Sequence, residues 1–320
     1  MSAGGSARPD GRTLVVAVVG CGEVGRLLAT AAHERHRVLL FDAVATPAAL
    51  ALSETLGLPL GTSLGDELAT ADRVWSCVTG DQAVPVARSL SRVLRPGAIV
   101  VDLTTASSGD KVEAAEVLAS CQVGYVDVAI MGAVALTGIR TPLLAVGEGA
   151  GQVVEEFRAL GADARDIPGK PGDAVALKLL RTVITKGLEA LGVEALVAAE
   201  RNGVRQELMR VLADIDDQGF TSFLQAVVRT HVQHAGRRRH EVLRAVAQLE
   251  DQGMSAAVIA ASTARFDMTV QALAAHPPPE ECHQDVDAAM AWLAATSPPL
   301  AGLAHEVDQD NDHPLTQEAR

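Results

Sequence analysis

Gly20, Gly22 and Gly25 stand in the run Gly20-Cys21-Gly22-Glu23-Val24-Gly25, the spacing G-x-G-x-x-G. The run follows the apolar stretch Leu14–Val19 and opens a stretch of helical character, and a second apolar run closes on Asp42. Glycine at 20 permits a tight turn, glycine at 22 lets backbone approach a diphosphate, and glycine at 25 lets helix and strand pack closely. The helix N-terminus then presents unpaired N–H groups and the positive end of its dipole to the phosphates. Asp42, 22 positions after Gly20, is placed to accept hydrogen bonds from an adenosine ribose. A 2′-phosphate at that point would face a carboxylate, and Ala43-Val44-Ala45 bring no arginine to hold it. The reading is therefore a dinucleotide cofactor, NAD in preference to NADP, bound by Gly20, Cys21, Gly22, Glu23, Val24, Gly25 and Asp42. The alternatives are a glycine turn with no ligand and an S-adenosylmethionine site, which lacks the diphosphate that demands the third glycine.

Two further strand ends carry polar residues, Val78-Thr79-Gly80 and Asp102-Leu103-Thr104-Thr105. Ligands of open α/β sheets lie at the carboxyl ends of the strands, so Val78, Thr79 and Thr104 are assigned to the nicotinamide half. Further on, Lys178, Arg181, Thr182, Thr185 and Glu189 recur at helical spacing as one polar stripe among Val175, Leu177, Leu179, Leu180, Val183, Ile184 and Leu188. Such a stripe is either a solvated face or a face carrying chemistry. A lysine partly withdrawn from water beside another cation gives up its proton more readily. It can then act as general acid or base in hydride transfer at a carbinol carbon. Arg181, one turn on, suits both the neighbouring cation and a clamp on a substrate carboxylate or phosphate.

The elements that must position these residues follow from periodicity. Between residues 13 and 170 short apolar runs (Leu14–Val19, 37–42, 73–78, 98–103, 123–128 and 142–147) alternate with helical stretches such as Val24–Arg35, Gln82–Val93 and Ser108–Ser120. That rhythm predicts an α/β Rossmann domain with a doubly wound, mostly parallel sheet covered on both faces. The turn cluster Gly169-Lys170-Pro171-Gly172 marks a boundary. Asp173 N-caps a helix of roughly 28 residues, about 42 Å long, and the chain beyond it reads as helix. The expected organisation is a tail over 1–12, a dinucleotide-binding domain over 13–170, an all-α substrate and dimerisation domain over 171–304, and a second disordered, acidic tail over 305–320.

Bulk properties narrow the function classes. The chain has 320 residues, 48% hydrophobic, 21% charged and 2% aromatic, with a formal net charge of -13. It can bury a core, and its charge disfavours nucleic acid and anionic membrane surfaces as partners. No apolar run is long enough to span a membrane, and no signal-peptide pattern precedes the first strand. Cys21, Cys77, Cys121 and Cys282 form neither a disulfide framework nor a zinc pattern, which points to a reducing, cytoplasmic setting. Cys21 reads as a packing residue. His231, His234 and His240 flank Arg237-Arg238-Arg239; with no third ligand in register, a solvated or dimer-facing basic face is expected there and no metal.

Over residues 13–300 the chain resembles the β-hydroxyacid dehydrogenase superfamily, which includes 3-hydroxyisobutyrate and 6-phosphogluconate dehydrogenases. The glycine loop carries part of the resemblance. The rest lies in the stretches KLLRTVITKGLEAL and HAGRRRHEVLRAVAQLEDQGMSAAVIAASTARF, which are similar to a 6-phosphogluconate dehydrogenase-like C-terminal domain. The resemblance implies a long interdomain helix, an all-helical second domain, a homodimer and a lysine acid/base, a role that falls on Lys178. It also implies a substrate loop at Asp127-Val128-Ala129-Ile130-Met131-Gly132-Ala133. Met131 replaces a serine of the family pattern, and Arg181 and Thr182 replace asparagines. Met131, Gly132, Ala133, Arg181 and Thr182 are accordingly assigned to the substrate, with Arg181 taking over anion binding. The expected enzyme passes a hydride between NAD(P) and a small hydroxy acid or its carbonyl counterpart. An imine reductase on the same scaffold and a silent dinucleotide sensor are the rivals.

Overall fold

The structure, a computed structural model, describes residues 13–297. The apolar runs become strands and the stretches between them helices. In chain order these are β1 (Val15–Val19), α1 (Glu23–His33), β2 (Arg37–Phe41), α2 (Pro47–Leu56), β3 (Leu60–Gly61), β4 (Arg73–Ser76), α3 (Ala83–Leu90), β5 (Ile99–Asp102), α4 (Ser108–Ala119), β6 (Gly124–Ile130), α5 (Val134–Thr137), β7 (Leu143–Val146), α6 (Ala150–Ala159) and β8 (Ala164–Asp166). The sheet order is β3-β2-β1-β4-β5-β6-β7-β8. Every neighbouring pair is parallel except β6 with β7. The order reverses direction between β1 and β4, the switch point at which such sheets open a crevice.

Buried apolar residues lie on both sides of the sheet. One cluster gathers Val16, Val18, Leu28, Leu40, Trp75, Val101 and Phe157, and the other Ala17, Val19, Val74, Leu90, Val100 and Leu118. Alternate residues of β1 enter opposite clusters, which is why its sequence is a continuous apolar run with no period-2 polarity. The expected strands are all present, but β3 and β8 were not anticipated. At two and three residues they are too short to leave a periodic signature.

A 29-residue helix, α7 (Asp173–Arg201), follows, close to the length expected. Asp173 is its first residue, and its carboxylate accepts the Lys170 N–H at 2.9 Å. Beyond it come α8 (Arg205–Val211), α9 (Ala213–Gln218), α10 (Phe220–Asp251), α11 (Ala257–Ala275) and α12 (Val286–Thr296). The chain divides into two compact units, one ending at Thr185 and the other beginning at Lys186, so α7 starts in the first and ends in the second. The second has its own small core of Val232, Ala272, Cys282, Ala289, Trp292 and Leu293. The expected terminal tails lie outside the described residues.

Candidate active site

At the end of β1 the chain turns through Gly20 at φ +91°, and its N–H donates to the Phe41 carbonyl at 2.8 Å. A Cβ at Gly20 would lie 2.8 Å from the Cys77 carbonyl group, and one at Gly25 would lie 1.9 Å from the Gly20 oxygen. Both glycines are therefore required by the packing of loop, strand and helix. Gly22 differs, since a Cβ there meets nothing within 4 Å. It N-caps α1 with no side chain capping the helix, so the first-turn N–H groups have no side-chain acceptor, as a bound phosphate requires. Cys21 is buried and Val24 packs against the core, and neither lines the cavity beside Gly22. Glu23 and Gly22 are exposed. Burial, with the Asp42 carboxylate adding to it, pushes the Cys21 thiol up to about 11. It is a packing thiol, unsuited to act as a nucleophile.

Asp42, one residue past β2, is half-buried and bridges two loops. One carboxylate oxygen accepts the Cys21 N–H at 2.7 Å and the other the Val44 N–H at 2.9 Å. Gly20, Gly22, Asp42, Val78 and Thr79 together line a cavity of about 510 Å³. Thr62, Ser63 and Leu64, which follow β3, complete its wall. These three were missed because β3 itself was not seen in the sequence. The cavity, the uncapped helix end and the open Cα of Gly22 fit a dinucleotide.

The loops after β4 and β5 touch: a Cβ at Gly80 would lie 2.8 Å from the Thr105 oxygen. Thr104 is buried, its N–H donates to Asp102 Oδ1 at 2.8 Å, and its hydroxyl has no hydrogen-bond partner. Thr79 is exposed. Thr105 was in the sequence run but not among the assigned residues, yet its Oγ1 accepts the Lys178 ammonium at 2.6 Å. The two-residue register of the loop decides this: Thr104 turns into the protein and Thr105 out of it. Lys178 thus sits where β5 ends, on the first turns of α7. Its pKa lies below that of an ordinary lysine, first because burial penalises the ammonium and second because of the nearby Lys111.

Beneath that pair lies a charged cluster with no counterpart in the expected site. Lys111 is fully buried. Its ammonium is 3.0 Å from both the carbonyl and Oδ1 of Asp102 and 3.2 Å from Asp127 Oδ1. The Tyr125 hydroxyl donates to Asp102 Oδ2 at 2.6 Å.

The substrate-assigned residues spread along the end of β6 and the exposed side of α7. Met131 packs against Ala129, Leu144, Val146 and Ala174, the last one turn before Lys178. Gly132 and Ala133 are exposed, as are Arg181 and Thr182. The Thr182 hydroxyl donates to the Lys178 carbonyl at 3.0 Å, as helical threonines commonly do. In the second unit the arginine triplet is not a uniform solvated face. Arg238 folds back onto the Val227 carbonyl and the Thr230 hydroxyl, Arg239 pairs with Asp267, and Arg237 pairs with Glu241. His231 meets the Thr269 hydroxyl at 2.9 Å. Among the described residues no group of three or more His, Cys, Asp or Glu is arranged to hold a metal ion.

Residues 15–159 match the family model of the NAD binding domain of 6-phosphogluconate dehydrogenase. The match takes in β1 through α6, which are similar to that family's NAD-binding domain. The matched segment is an NAD-binding domain, and the glycine loop, α1 and Asp42 lie within it. Over 189 residues the chain is 26% identical to an uncharacterized 28.5 kDa protein of Methanothermus fervidus, covering 58% of this chain and 71% of that protein. A solved conserved protein of unknown function, described as structurally similar to 3-hydroxyacid dehydrogenases, is 26% identical with a TM-score of 0.57, covering 81% of this chain and 97% of that one. An imine reductase from Aspergillus terreus shares the fold at a TM-score of 0.69 and 18% identity, covering 88% and 99% of the two chains.

Proposed function

We propose that the protein is an oxidoreductase that passes a hydride between NAD(P) and a small hydroxy acid or the matching carbonyl compound, with Lys178 as general acid and base. The observation that carries this reading is Lys178, a half-buried residue whose ammonium is 2.6 Å from the Thr105 hydroxyl beyond the carboxyl end of β5. It lies in the same unit as the NAD-binding loop. The nicotinamide supplies or accepts the hydride when bound; the chain supplies position and protons. In the oxidative direction the neutral Lys178 amine takes the hydroxyl proton. In the reductive direction its ammonium returns a proton to the carbonyl oxygen, and Thr105 fixes the direction in which Nζ points. Arg181 pairs with the substrate's carboxylate or other anion, and Thr182 with Met131, Gly132 and Ala133 shapes the space around it. In this reading residues 13–170 form the cofactor domain and 171–304 the substrate and dimerisation domain of a homodimer. Small molecules, and neither nucleic acid nor membrane, are the partners. All four cysteines are unpaired, as suits a reducing, cytoplasmic setting.

The test is a panel of hydroxy acids and oxo compounds assayed with NAD and NADP on the wild type and Lys178→Met. The variant is expected to lose roughly 10²- to 10⁴-fold in kcat, with its calorimetric affinity for the cofactor unchanged. Wild-type turnover by Lys178→Met would sink the assignment. Because the lysine pKa is lowered, oxidation should rise with pH through a midpoint below the ordinary lysine value. Reduction, which needs the ammonium, should fall through the same midpoint. The fold shared with an imine reductase supports a second reading, reduction of a C=N bond. Turnover of imines by Lys178→Met, with alcohol oxidation abolished, would favour it.

Cofactor choice is a separate outcome. We assign NAD as the preferred nucleotide because the Asp42 carboxylate lines the cavity where a 2′-phosphate would lie. Asp42→Ala removes a charged hydrogen-bond acceptor, so NAD should bind about tenfold more weakly or worse while NADP gains. Isothermal titration with both nucleotides reads the ratio, and an unchanged ratio would remove Asp42 from the recognition.

A further inference from the structure

Lys111 is one turn into α4 and is completely enclosed. Its ammonium donates to the Asp102 carbonyl at 3.0 Å and forms ion pairs with Asp102 Oδ1 at 3.0 Å and Asp127 Oδ1 at 3.2 Å, an oxygen with no hydrogen-bond partner of its own. Asp102 and Asp127 are register partners on adjacent parallel strands, so without a cation between them two carboxylates would face each other in the interior. The second oxygen of each is also engaged. That of Asp102 accepts the Tyr125 hydroxyl at 2.6 Å, and that of Asp127 accepts the N–H groups of Gly172 at 3.1 Å and Val175 at 3.3 Å.

Those last two contacts bring the cluster to the start of α7. Gly172 is gripped on three sides. Its N–H goes to Asp127, its carbonyl accepts the Ser108 hydroxyl at 3.0 Å, and a Cβ on it would lie 2.8 Å from the Ser108 oxygen. Ser108 and Lys111 both belong to α4. One helix thus holds the entry of α7 directly through Ser108 and indirectly through Lys111 and Asp127. A buried ionic cluster is a poor source of stability, since apolar replacements are commonly neutral or better. What this one does achieve is a fixed starting point for the helix that carries Lys178.

We propose that Lys111 is a positioning residue, which through Asp127 holds the first turn of α7, and with it Lys178, at the carboxyl ends of β5 and β6. This rests on Lys178 being the acid/base. The charged groups around Lys111 are Asp102 from β5, Asp127 from β6 and Lys178 from α7, and Tyr125 and Cys77 adjoin Asp102. Desolvation and the neighbouring acids hold Cys77 and Tyr125 in their neutral forms. The ionic members are then two carboxylates and two ammonium groups, so removing either sign must move Lys178 in a defined direction.

The test needs no substrate. Competitive acetylation of the full chain over a pH series, read by peptide mass spectrometry, gives the pKa of Lys178. Hydrogen exchange reads the first turn of α7 in the same samples. Lys111→Met should raise that pKa and speed exchange over residues 172–178 about tenfold. Asp127→Asn should speed exchange there too but lower the pKa, and Lys111→Arg should restore the pKa towards wild type. A folded Lys111→Met variant that matches wild type in both readouts overturns the proposal. If that variant does not fold, Asp127→Asn decides, and a pKa that fails to fall overturns it. The expected shifts in a protein that turns over no hydroxy acid or oxo compound would instead refute the proposed activity and leave the positioning role standing.

Discussion

Two glycines of one loop are fixed by packing and a third is not, and single methyl groups tell them apart. At Gly25 an added Cβ would stand 1.9 Å from a backbone oxygen, so Gly25→Ala must push α1 away from β1. The expected result is a loss of about 2–3 kcal/mol, as for other over-packed sites, seen as a lower Tm. At Gly22 the added methyl has room, so Gly22→Ala should keep its Tm yet bind NAD at least about tenfold more weakly, because the methyl fills the approach to the phosphates. Calorimetry and thermal denaturation on the pair check both halves; equal Tm losses would mean that Gly22 is a packing glycine as well. The packing roles of Gly20 and Gly25 were legible because spacing encodes them. Lys111 was not, since an isolated lysine in a helical stretch ordinarily reads as solvated. The signal that existed was positional: Lys111, Ala114 and Leu118 are the buried residues of α4, so the lysine occupies i of an i, i+3, i+7 apolar stripe.

At the scale of elements, strands of four or more residues and helices with a clear period were readable. The two- and three-residue strands β3 and β8 were not, although the residues after β3 wall the cavity beside Gly20 and Asp42. The start of α7 shows the same division. Its turn cluster was visible as Gly169-Lys170-Pro171-Gly172, but that Gly172 docks on α4 depends on contacts across 64 residues, which periodicity does not carry. Gly172 adopts φ +98°, a conformation costing about 1–3 kcal/mol for other residues, and a methyl there also collides with the Ser108 oxygen. Gly172→Ala should therefore destabilise the N-terminal unit by about 2 kcal/mol or more. Urea unfolding followed by Trp75 fluorescence measures it. Ser108→Ala, which removes only the hydroxyl donated to Gly172, should cost about 1 kcal/mol. An alanine at 172 with wild-type stability would show that α7 does not need this anchor.

For the molecule as a whole, the long helix poses a question that one chain does not answer. Leu180, Val183 and Val193 on α7 are 63%, 69% and 60% exposed, and Leu177, Leu179, Leu188 and Val197 are exposed as well. The polar stripe through Arg181, Thr182, Thr185 and Glu189 is exposed alongside them. A helix apolar around most of its circumference is a buried helix, and monomeric proteins seldom leave so many large apolar side chains in water. The occupant that answers this without invoking another gene product is a second copy of the same helix, since a two-fold interface buries one patch on both partners at once. The measurement is mass by light scattering at micromolar concentration. The wild type is expected to be a dimer and Leu180→Glu/Val183→Glu a monomer, because four carboxylates would then meet across the two-fold axis and charge repulsion would outweigh the apolar gain. Both substituted positions lie at the surface of the folded chain, so the variant should keep its circular dichroism and its calorimetric response to NAD. A monomeric wild type would leave the apolar face of α7 without its proposed partner and withdraw the dimer from the functional reading.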